Sequence, residues 1–434
     1  MTKKYQTNDS GASAELNIPP QVSVVMDQIA EDAGEGLLAV VVSTGLQVMH
    51  ALMDEDVTAA CGPKGRHNPA RGAIRHGTQL GSVALGGRRL PVARPRVRAS
   101  DGSGEVPLAS YDLFTSTDLL GQMAMERMLA GVSTRRYRVA LEPVGSKVDS
   151  VATSTSKSAV SRRFVAMTKT ALDDLMTQDL SELNLVGLMI DGVNFAEHLC
   201  VVAMGIDLDG KKHPLALVEG STENTTLVKR LLVGLRERGL DTTRPTLMVL
   251  DGAKALHAAV KEVFDHPVIQ RCQEHKLRNV KEHLPVRMRA PVLRRMKAAY
   301  RADSALDGLA QLEALAKELD KTHPGAAGSL REGMSETFTV QELGVAPTLA
   351  RTLRSTNPIE SMISICRTHS RNVKRWRNGD MAMRWCAAGM IEASTQFRRV
   401  RGHLHLTQLR ASLESHVAAA TQVQDGHTTH QSAA

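Results

Sequence analysis

The chain has 434 residues, of which 42% are apolar and only 3% aromatic, and it carries a formal net charge of +8 with a pI of about 9.3. This length is enough for two or three domains, and the basic balance is typical of proteins that bind nucleic acid. The five cysteines are scattered and odd in number, which argues against a disulfide framework and favours a reducing compartment.

Both ends of the chain are polar, and residues 1–17 and 421–434 are predicted to be disordered tails. The first of these has no apolar core of the kind that a signal peptide needs. The most apolar early window, residues 36–53, is interrupted by Ser43, Thr44 and Gln47, so we interpret it as a buried helix and not as a membrane span. We therefore expect a cytoplasmic protein with no membrane partner.

Residues 18–115 are predicted to form a helical and basic N-terminal region. Within it, Gly86-Gly87 lies between two strand-like runs and predicts a β-hairpin. Residues 64–98 contain nine basic residues and no acidic one, which leaves open whether they form a solvated face or contact phosphates. The nine are Lys64, Arg66, Arg71, Arg75, Arg88, Arg89, Arg94, Arg96 and Arg98.

Residues 116–180 are predicted to form a DNA-binding region that resembles a helix-turn-helix. A serine or threonine near Thr155 is expected to cap a helix. The apolar face of that helix is predicted to consist of Val160, Phe164, Val165 and Met167. Polar and basic residues at its N-terminal end suit contacts with base edges, namely Lys157, Ser158, Ser161, Arg162 and Arg163. The alternatives are a linker rich in serine and threonine, or a surface helix that follows a flexible joint.

From residue 185 the pattern changes to an alternation of strands and helices. Three apolar runs are joined by hairpin signals, one of them Asp209-Gly210, and helices then alternate with two further strands. This order predicts an α/β fold with a mixed sheet that has helices on both faces. The first part of this core is predicted at 181–285, a helical insertion at 286–345, and the last part, with basic helices, at 346–420.

Two of the predicted strands end in a carboxylate, at Asp191 and at Asp251, and each is followed by glycine. Ligands collect at strand ends in α/β sheets, and two neighbouring carboxylates repel unless a divalent cation lies between them. Glu360 is the best candidate for a third ligand, because Pro358 starts a helix there and an apolar stripe holds that helix against the sheet. Alternatively, each aspartate caps a turn and Glu360 interacts with the helix dipole.

The motifs "MIDG", "VLDGAKAL", "RCQEHKLRNV", "STNPIES" and "RNVKRWRNGDMAMRW", in this order, resemble bacterial insertion-sequence transposases of the Mutator type. These belong to the Asp-Asp-Glu enzymes with an RNase H-like fold. The resemblance implies that Asp191, Asp251 and Glu360 are the catalytic and metal-binding residues. Two Mg²⁺ or Mn²⁺ ions would hold the attacking and leaving oxygens of a phosphodiester. The implied partners are double-stranded DNA, as terminal inverted repeats and target, and further copies of the chain, at least a dimer.

The family also carries a Cys-x-x-His element after the second aspartate, which Cys272 and His275 match. One cysteine and one histidine cannot complete a four-ligand zinc site, and no second pair follows nearby. A supporting role beside the active site, or a contact with DNA, is therefore favoured over metal binding.

The segment after Glu360 is strongly basic, and the helix that contains Glu360 is expected to continue through about residue 375. Trp376 precedes Asn378-Gly379, a turn signal predicted to end that helix. It is predicted either to stack on an unpaired base or to pack in the core, and Trp385 is predicted to be a core residue. The predicted DNA-binding residues of this segment are Arg371, Lys374, Arg375, Trp376 and Arg377.

The sequence thus predicts a DNA transposase that cleaves and transfers strands with the help of metal ions. One alternative is a related nuclease or resolvase that only cuts DNA. Another is a DNA-binding regulator that descends from a transposase and has lost catalysis, although all three carboxylates are present.

Overall fold

The computed structural model describes residues 29, 31–66, 71–115, 118–222 and 224–431. The chain divides into two compact units, an N-terminal unit of residues 1–124 and 132–163 and a C-terminal unit of residues 125–131 and 164–434. The tail predicted at 1–17 lies outside the described residues. The boundaries between the units, at 124/125, 131/132 and 163/164, all fall inside the region 116–180, and the domain limits given above remain predictions.

The N-terminal unit is built from a long helix, a β-hairpin and short helices. Its elements are α1 (Leu37–Cys61), β1 (Ala73–Leu85), β2 (Arg88–Ala99), β3 (Glu105–Val106), α2 (Ala109–Thr115), the first part of α3 (Leu119–Leu129) and α4 (Ser146–Val151). The hairpin prediction is confirmed, since Leu85 pairs with Arg88 across the turn. Gly86 and Gly87 both have positive φ, 57° and 75°, which is what a two-residue turn of type I′ requires.

Helix α1 is buried on one face only, so the prediction of a buried helix is wrong for its other face. Val42 and Met53 are packed inside the unit, whereas Leu37 is 81% and Val41 53% exposed. Among the described residues, α1 is the one helix long and apolar enough to cross a membrane by length and composition. Its buried residues contact the hairpin, which covers a single stripe of the helix.

The basic run 64–98 is partly neutralised by carboxylates from elsewhere in the N-terminal unit. Arg88 is buried and its Nε lies 2.7 Å from Asp149, while Arg96 lies 3.1 Å and Arg94 3.4 Å from Glu105. The absence of acidic residues within the run therefore does not leave all nine charges free.

The C-terminal unit contains the predicted mixed sheet. Its strands are β4 (Leu185–Phe195), β5 (His198–Asp207), β6 (Lys212–Gly220), β7 (Thr246–Leu250) and β8 (Pro267–Arg271). They lie in the order β6-β5-β4-β7-β8. The first three pair antiparallel as hairpins, and β7 adds parallel to β4 and to β8. The predicted sequence of strands and helices in this part of the chain is confirmed.

Helices cover both faces of this sheet, as predicted. The helices up to the insertion are α5 (Lys157–Thr177), α6 (Thr225–Glu237), α7 (Lys254–Val263) and α8 (Gln273–Glu282). One apolar cluster joins one face of the sheet to α6 and α7, with Leu231, Leu232 and Val260 fully or almost fully buried. A second cluster joins the other face to the helices that follow the insertion.

The predicted insertion is helical and has its own core. It contains α9 (Val286–Ala299), α10 (Ala305–Asp320), α11 (Pro324–Arg331) and α12 (Thr339–Glu342). Buried Met296, Leu312 and Leu330 pack together with Leu277 of α8. No strand occurs between 286 and 345, in agreement with the prediction.

The last part consists of α13 (Pro347–Leu353), α14 (Asn357–Ser370), α15 (Gly379–Thr395) and α16 (Leu406–Gln431). Two predictions are wrong here. Helix α14 ends at Ser370, and Asn378 begins α15 by accepting a hydrogen bond from Met381 N at 3.1 Å, so this Asn-Gly does not end a helix. The disordered tail is predicted at 421–434, but residues 421–431 continue α16, as expected for a run that follows three alanines, and residues 432–434 lie outside the described residues.

Candidate functional site

Asp191 lies on β4, and Asp251 directly follows the adjacent parallel strand β7. Gly187 pairs with Leu247 and Met189 with Val249, and the same register continued brings Asp191 level with Asp251. The prediction that Asp191 ends its strand is wrong, because β4 continues to Phe195 in pairing with β5. Asp191 nevertheless lies where the parallel partner stops, since β7 ends at Leu250. The two aspartates therefore share the carboxyl edge of the parallel part of the sheet.

Glu360 is positioned by the first turn of α14, as predicted. Pro358 occupies the start of the helix, and buried Ile359, Met362 and Ile363 hold it against the sheet. Glu360 itself is half-buried beside this apolar stripe, and its carboxylate extends toward the sheet edge.

The side chains of Asp191, Glu360 and His275 converge at this edge. One potential ligand atom from each lies within 4.8 Å of the other two. The pKa of Asp191 is raised to about 6, mainly by burial. The negative charges of Asp251 and Glu360 also raise it, while the hydrogen bond from Gly192 N and the charge of His275 lower it. Asp251 is therefore close enough to interact electrostatically with the cluster, in which His275 supplies the opposite charge.

Each carboxylate of the candidate triad keeps one oxygen available. Asp191 Oδ1 accepts from Gly192 N and Asp251 Oδ1 accepts from Ala253 N, both at 2.8 Å. Glu360 Oε1 accepts from Thr356 Oγ1 at 2.9 Å. No other hydrogen bond to these carboxylates occurs within the described parts of the chain. The free oxygens of Asp191 and Glu360 and the His275 imidazole form a donor set that suits a divalent cation, and Asp251 is not part of this group of ligand atoms within 4.8 Å.

Cys272 and His275 link the two helices that border the site. Buried Cys272 caps α8, and its sulfur accepts from His275 N at 3.4 Å and from Thr356 N at 3.3 Å. Thr356 Oγ1 contacts His275 Nδ1 at 3.1 Å, while His275 Nδ1 lies 3.7 Å from Glu360. These contacts are of the kind expected for a supporting pair, and His275 is in addition close enough to the carboxylates to act as a ligand.

The pKa of His275 is raised to about 8, mainly by hydrogen bonding with Cys272, while burial opposes this. The negative charges of Cys272, Asp191 and Asp251 favour the protonated imidazole in addition. The carboxylates that favour the protonated form of His275 are therefore the same ones whose charge a bound cation would neutralise.

Thr356 was not identified as a site residue from the sequence. It is fully buried, and its hydroxyl lies within 3.3 Å of the Cys272 sulfur as well as contacting His275 and Glu360. The available signal is its position four residues before Glu360, one helical turn away, in the motif "STNPIES".

The predicted recognition residues lie at the start of α5, where Ser156 Oγ accepts from Ala159 N at 3.3 Å and thus supplies the predicted cap. Arg163 is half-buried and donates to Ser154 O at 2.6 Å. Of the predicted apolar face, Val160 and Phe164 are buried but Val165 is 41% exposed, so its assignment to that face is wrong. The remaining predicted DNA-binding residues here are exposed, namely Lys157, Ser158, Ser161 and Arg162.

The basic segment after α14 has a turn at 371–372 and no regular secondary structure at 373–377, so Trp376 does not lie on a continuous helix with Glu360. The Trp376 ring packs against Phe195 at 4.8 Å between centroids and meets Trp385 edge-on at 6.4 Å. Trp385 is 4% exposed, which confirms its core position. The four cations around Trp376 are exposed, namely Arg371, Lys374, Arg375 and Arg377.

Comparisons with known proteins give one consistent result. Residues 20–400, which include every candidate site residue, match the sequence model of the family described as "Transposase, Mutator family". The chain is 25% identical over 389 residues to the transposase for insertion sequence element ISRM5 of Rhizobium meliloti (strain 1021), which covers 87% of this chain and 92% of that protein. It is 29% identical over 203 residues to the transposase for insertion sequence element IS6120 of Mycolicibacterium smegmatis, covering 45% of this chain and 62% of that protein. It is 26% identical over 278 residues to the transposase for insertion sequence element IS256 in transposon Tn4001 of Staphylococcus aureus, covering 62% of this chain and 68% of that protein.

Proposed function

Because this chain belongs to the Mutator family of transposases, we propose that it cleaves DNA at the ends of its insertion sequence and transfers the cut strands to target DNA. Asp191, Asp251 and Glu360 are the catalytic carboxylates of this proposal. The observation that carries it is the convergence of Asp191, Glu360 and His275 within 4.8 Å, with Asp251 level with Asp191 at the end of the next strand. The mixed sheet, with its antiparallel hairpins and two added parallel strands, supports an RNase H-like assignment of the core.

The donor set supports Mg²⁺ or Mn²⁺ as the metal, because carboxylate oxygens dominate it and both ions accept oxygen ligands. Bound there, two such ions would hold the attacking and leaving oxygens of the phosphodiester in line. Asp191, Asp251 and Glu360 would hold these ions, since Asp251 and Glu360 are both close enough to Asp191 for their charges to raise its pKa. Thr356 and Cys272 hold Glu360 and His275 in position, and no side-chain nucleophile is needed.

DNA binding in this proposal depends on the exposed N-terminal end of α5, as in a helix-turn-helix, and on the cations around Trp376. Lys157, Ser158, Ser161 and Arg162 would meet base edges or phosphates at the terminal inverted repeats. The two element ends must be cut together, so we propose that at least two copies of the chain act on one DNA complex.

The test is cleavage and strand transfer on DNA that carries the element ends, with Mg²⁺ or Mn²⁺. We expect Asp191→Asn, Asp251→Asn and Glu360→Gln each to reduce cleavage by at least about 10³-fold, because each keeps the shape of the side chain and removes a negative ligand. Thermal melting and binding to end DNA without metal should remain close to those of the unchanged protein.

Glu342→Gln is a matched control, since it removes an equal charge from the insertion, outside the site. Cleavage by any of the three site variants at the rate of this control would exclude that residue from the triad. Cleavage by the unchanged protein without any strand transfer would favour the nuclease alternative over the transposase.

A further inference from the structure

A group of arginines without acidic partners lines two adjoining cavities of the C-terminal unit. The larger cavity, of about 700 Å³, lies between the helical insertion and α13. Arg301, Arg351 and Arg354 line it, together with a single carboxylate, Asp303. The second cavity, of about 620 Å³, is lined by Arg351 again and by Arg398, Arg399 and Arg401. Arg351 thus lines both cavities. We call the six arginines the arginine track, namely Arg301, Arg351, Arg354, Arg398, Arg399 and Arg401.

The arginine track carries charge that the protein itself does not neutralise. Within the described parts of the chain, none of the six guanidinium groups lies within 4.0 Å of a carboxylate, whereas Arg295 and Arg331 of the insertion both form ion pairs. Arg354 is half-buried. Its pKa is lowered mainly by burial and also by the positive charges of Arg351 and Arg301, while the charge of Glu274 opposes this and is outweighed. Holding mutually repelling cations together costs free energy, which a bound anion would recover.

The track also borders the candidate catalytic site through the backbone. Arg354 O accepts a hydrogen bond from Gln273 N at 3.0 Å, next to Cys272, and Arg354 precedes the Thr356 and Glu360 turn. An anion along the track is therefore held by the same short segment of chain that positions Glu360.

We propose that the arginine track binds the phosphate backbone of a DNA duplex without regard to base sequence, as a contact surface separate from α5 and the Trp376 segment. Six guanidinium groups along two cavities that share Arg351 match a row of phosphates better than a single small anion. This inference deepens the proposed function, because it names a DNA-binding surface for the enzyme, and it rests on that function for the identity of the DNA.

The experiment compares two triple variants of the full chain in EDTA, so that no cleavage can occur. The first, Arg301→Gln, Arg351→Gln and Arg401→Gln, removes exposed members of the track. The second, Arg236→Gln, Lys261→Gln and Lys321→Gln, removes three exposed charges that line neither cavity. Affinity for a random duplex is measured over a range of potassium chloride concentrations.

We expect the slope of log affinity against log salt to become less negative by roughly 2 to 3 in the track variant, at about 0.9 for each phosphate that the protein no longer neutralises. In the control variant the slope should change by less than about 1. An equal change in both variants would reduce the track to a contribution of net charge and overturn the proposal. An unchanged slope in the track variant would overturn it as well.

Inorganic phosphate distinguishes a free anion from DNA. If phosphate raises the Tm of the unchanged protein relative to chloride at equal ionic strength, and the track variant loses this effect but keeps its DNA slope, the site takes free phosphate and the proposal is overturned.

Cleavage by the unchanged protein is measured separately. If the unchanged protein never cleaves DNA but its salt slope depends on the track, the proposed function is contradicted and this inference stands. The opposite pair of results removes only the inference.

Discussion

The hairpin of the N-terminal unit and the arginine track of the C-terminal unit are both rich in arginine, yet they differ in how much of that charge is free. In the hairpin, Arg88 pairs with Asp149, and Arg94 and Arg96 pair with Glu105. In the track, none of six arginines among the described residues forms such a pair. A dense basic run in the sequence therefore does not by itself identify a DNA-binding surface, because the fold can bring carboxylates to it from distant positions.

Among these cations, Arg88 should contribute most to the stability of the fold. Its side chain is 4% exposed and donates to Asp149, Gly86 O and Glu142 O, so it ties the hairpin turn to α4 and the loop before it. We expect Arg88→Met to lower the free energy of unfolding by about 3 kcal/mol, because two carbonyl groups lose this donor and Asp149 keeps only its contact with exposed Arg138 at 3.3 Å. Chemical denaturation measures this.

The neighbouring Arg89 is exposed and has no acidic partner among the described residues, so Arg89→Met is the matched control and should cost less than about 1 kcal/mol. Equal losses in the two variants would contradict the assignment of Arg88 as a buried structural cation.

The strand pattern and the aspartates could be predicted from sequence because local signals decide them. Gly86-Gly87 specifies its turn, and apolar runs that end before Asp191 and Asp251 identify two strands whose order follows from the hairpins. The ion pairs could not be predicted in this way. Arg88 and Asp149 are 61 residues apart, and only the tertiary fold decides that they meet.

Two local signals also had more than one physical meaning. Asn378-Gly379 is compatible both with a turn that ends a helix and with the cap of a new one, and the structure has the second. The segment 421–431 is polar, which favours a disordered tail, but it continues a helix whose preceding alanines have the highest helix propensity. The contact of Thr356 with Cys272 and His275 depends on a tertiary approach over more than 80 residues of sequence.

Trp376 lies among exposed cations. It tests whether the aromatic residue of a basic segment can stabilise the fold while the neighbouring charges stay available for DNA. We expect Trp376→Ala to lower the free energy of unfolding by about 2 kcal/mol, less than for a fully buried tryptophan, because one side of the ring packs on Phe195 and Trp385. Trp376→Phe should retain most of this stability. Thermal and chemical denaturation measure both variants.

DNA binding by the same variants separates packing from stacking. If Trp376→Ala melts like the unchanged protein but loses affinity for single-stranded flanking DNA, a base stack worth roughly 1–3 kcal/mol accounts for the residue instead. Arg375→Gln, which removes an exposed charge next to the ring, should change the salt dependence of binding and leave the melting temperature unaltered.

The smallest effect on DNA binding is expected when the ion pairs of Glu105 in the hairpin are removed, which leaves its arginines without an acidic partner, as in the track. Glu105 lies between Arg94 and Arg96 at the surface, and these arginines hold its pKa below the usual range, with the hydrogen bond from Arg96 as the main cause. Glu105→Gln should release both guanidinium groups while barely changing the Tm, since pairs at the surface contribute little to stability.

If freedom from acidic partners is what distinguishes the track, the variant should bind random duplex with a salt slope steeper by up to about 2, or about 0.9 for each additional phosphate that it neutralises. Glu55→Gln in α1 removes an equal exposed charge without freeing an arginine and should leave the slope nearly unchanged. Identical slopes for the two variants would show that the hairpin cannot reach DNA even when its charges are free, so that geometry as well as pairing separates the two regions.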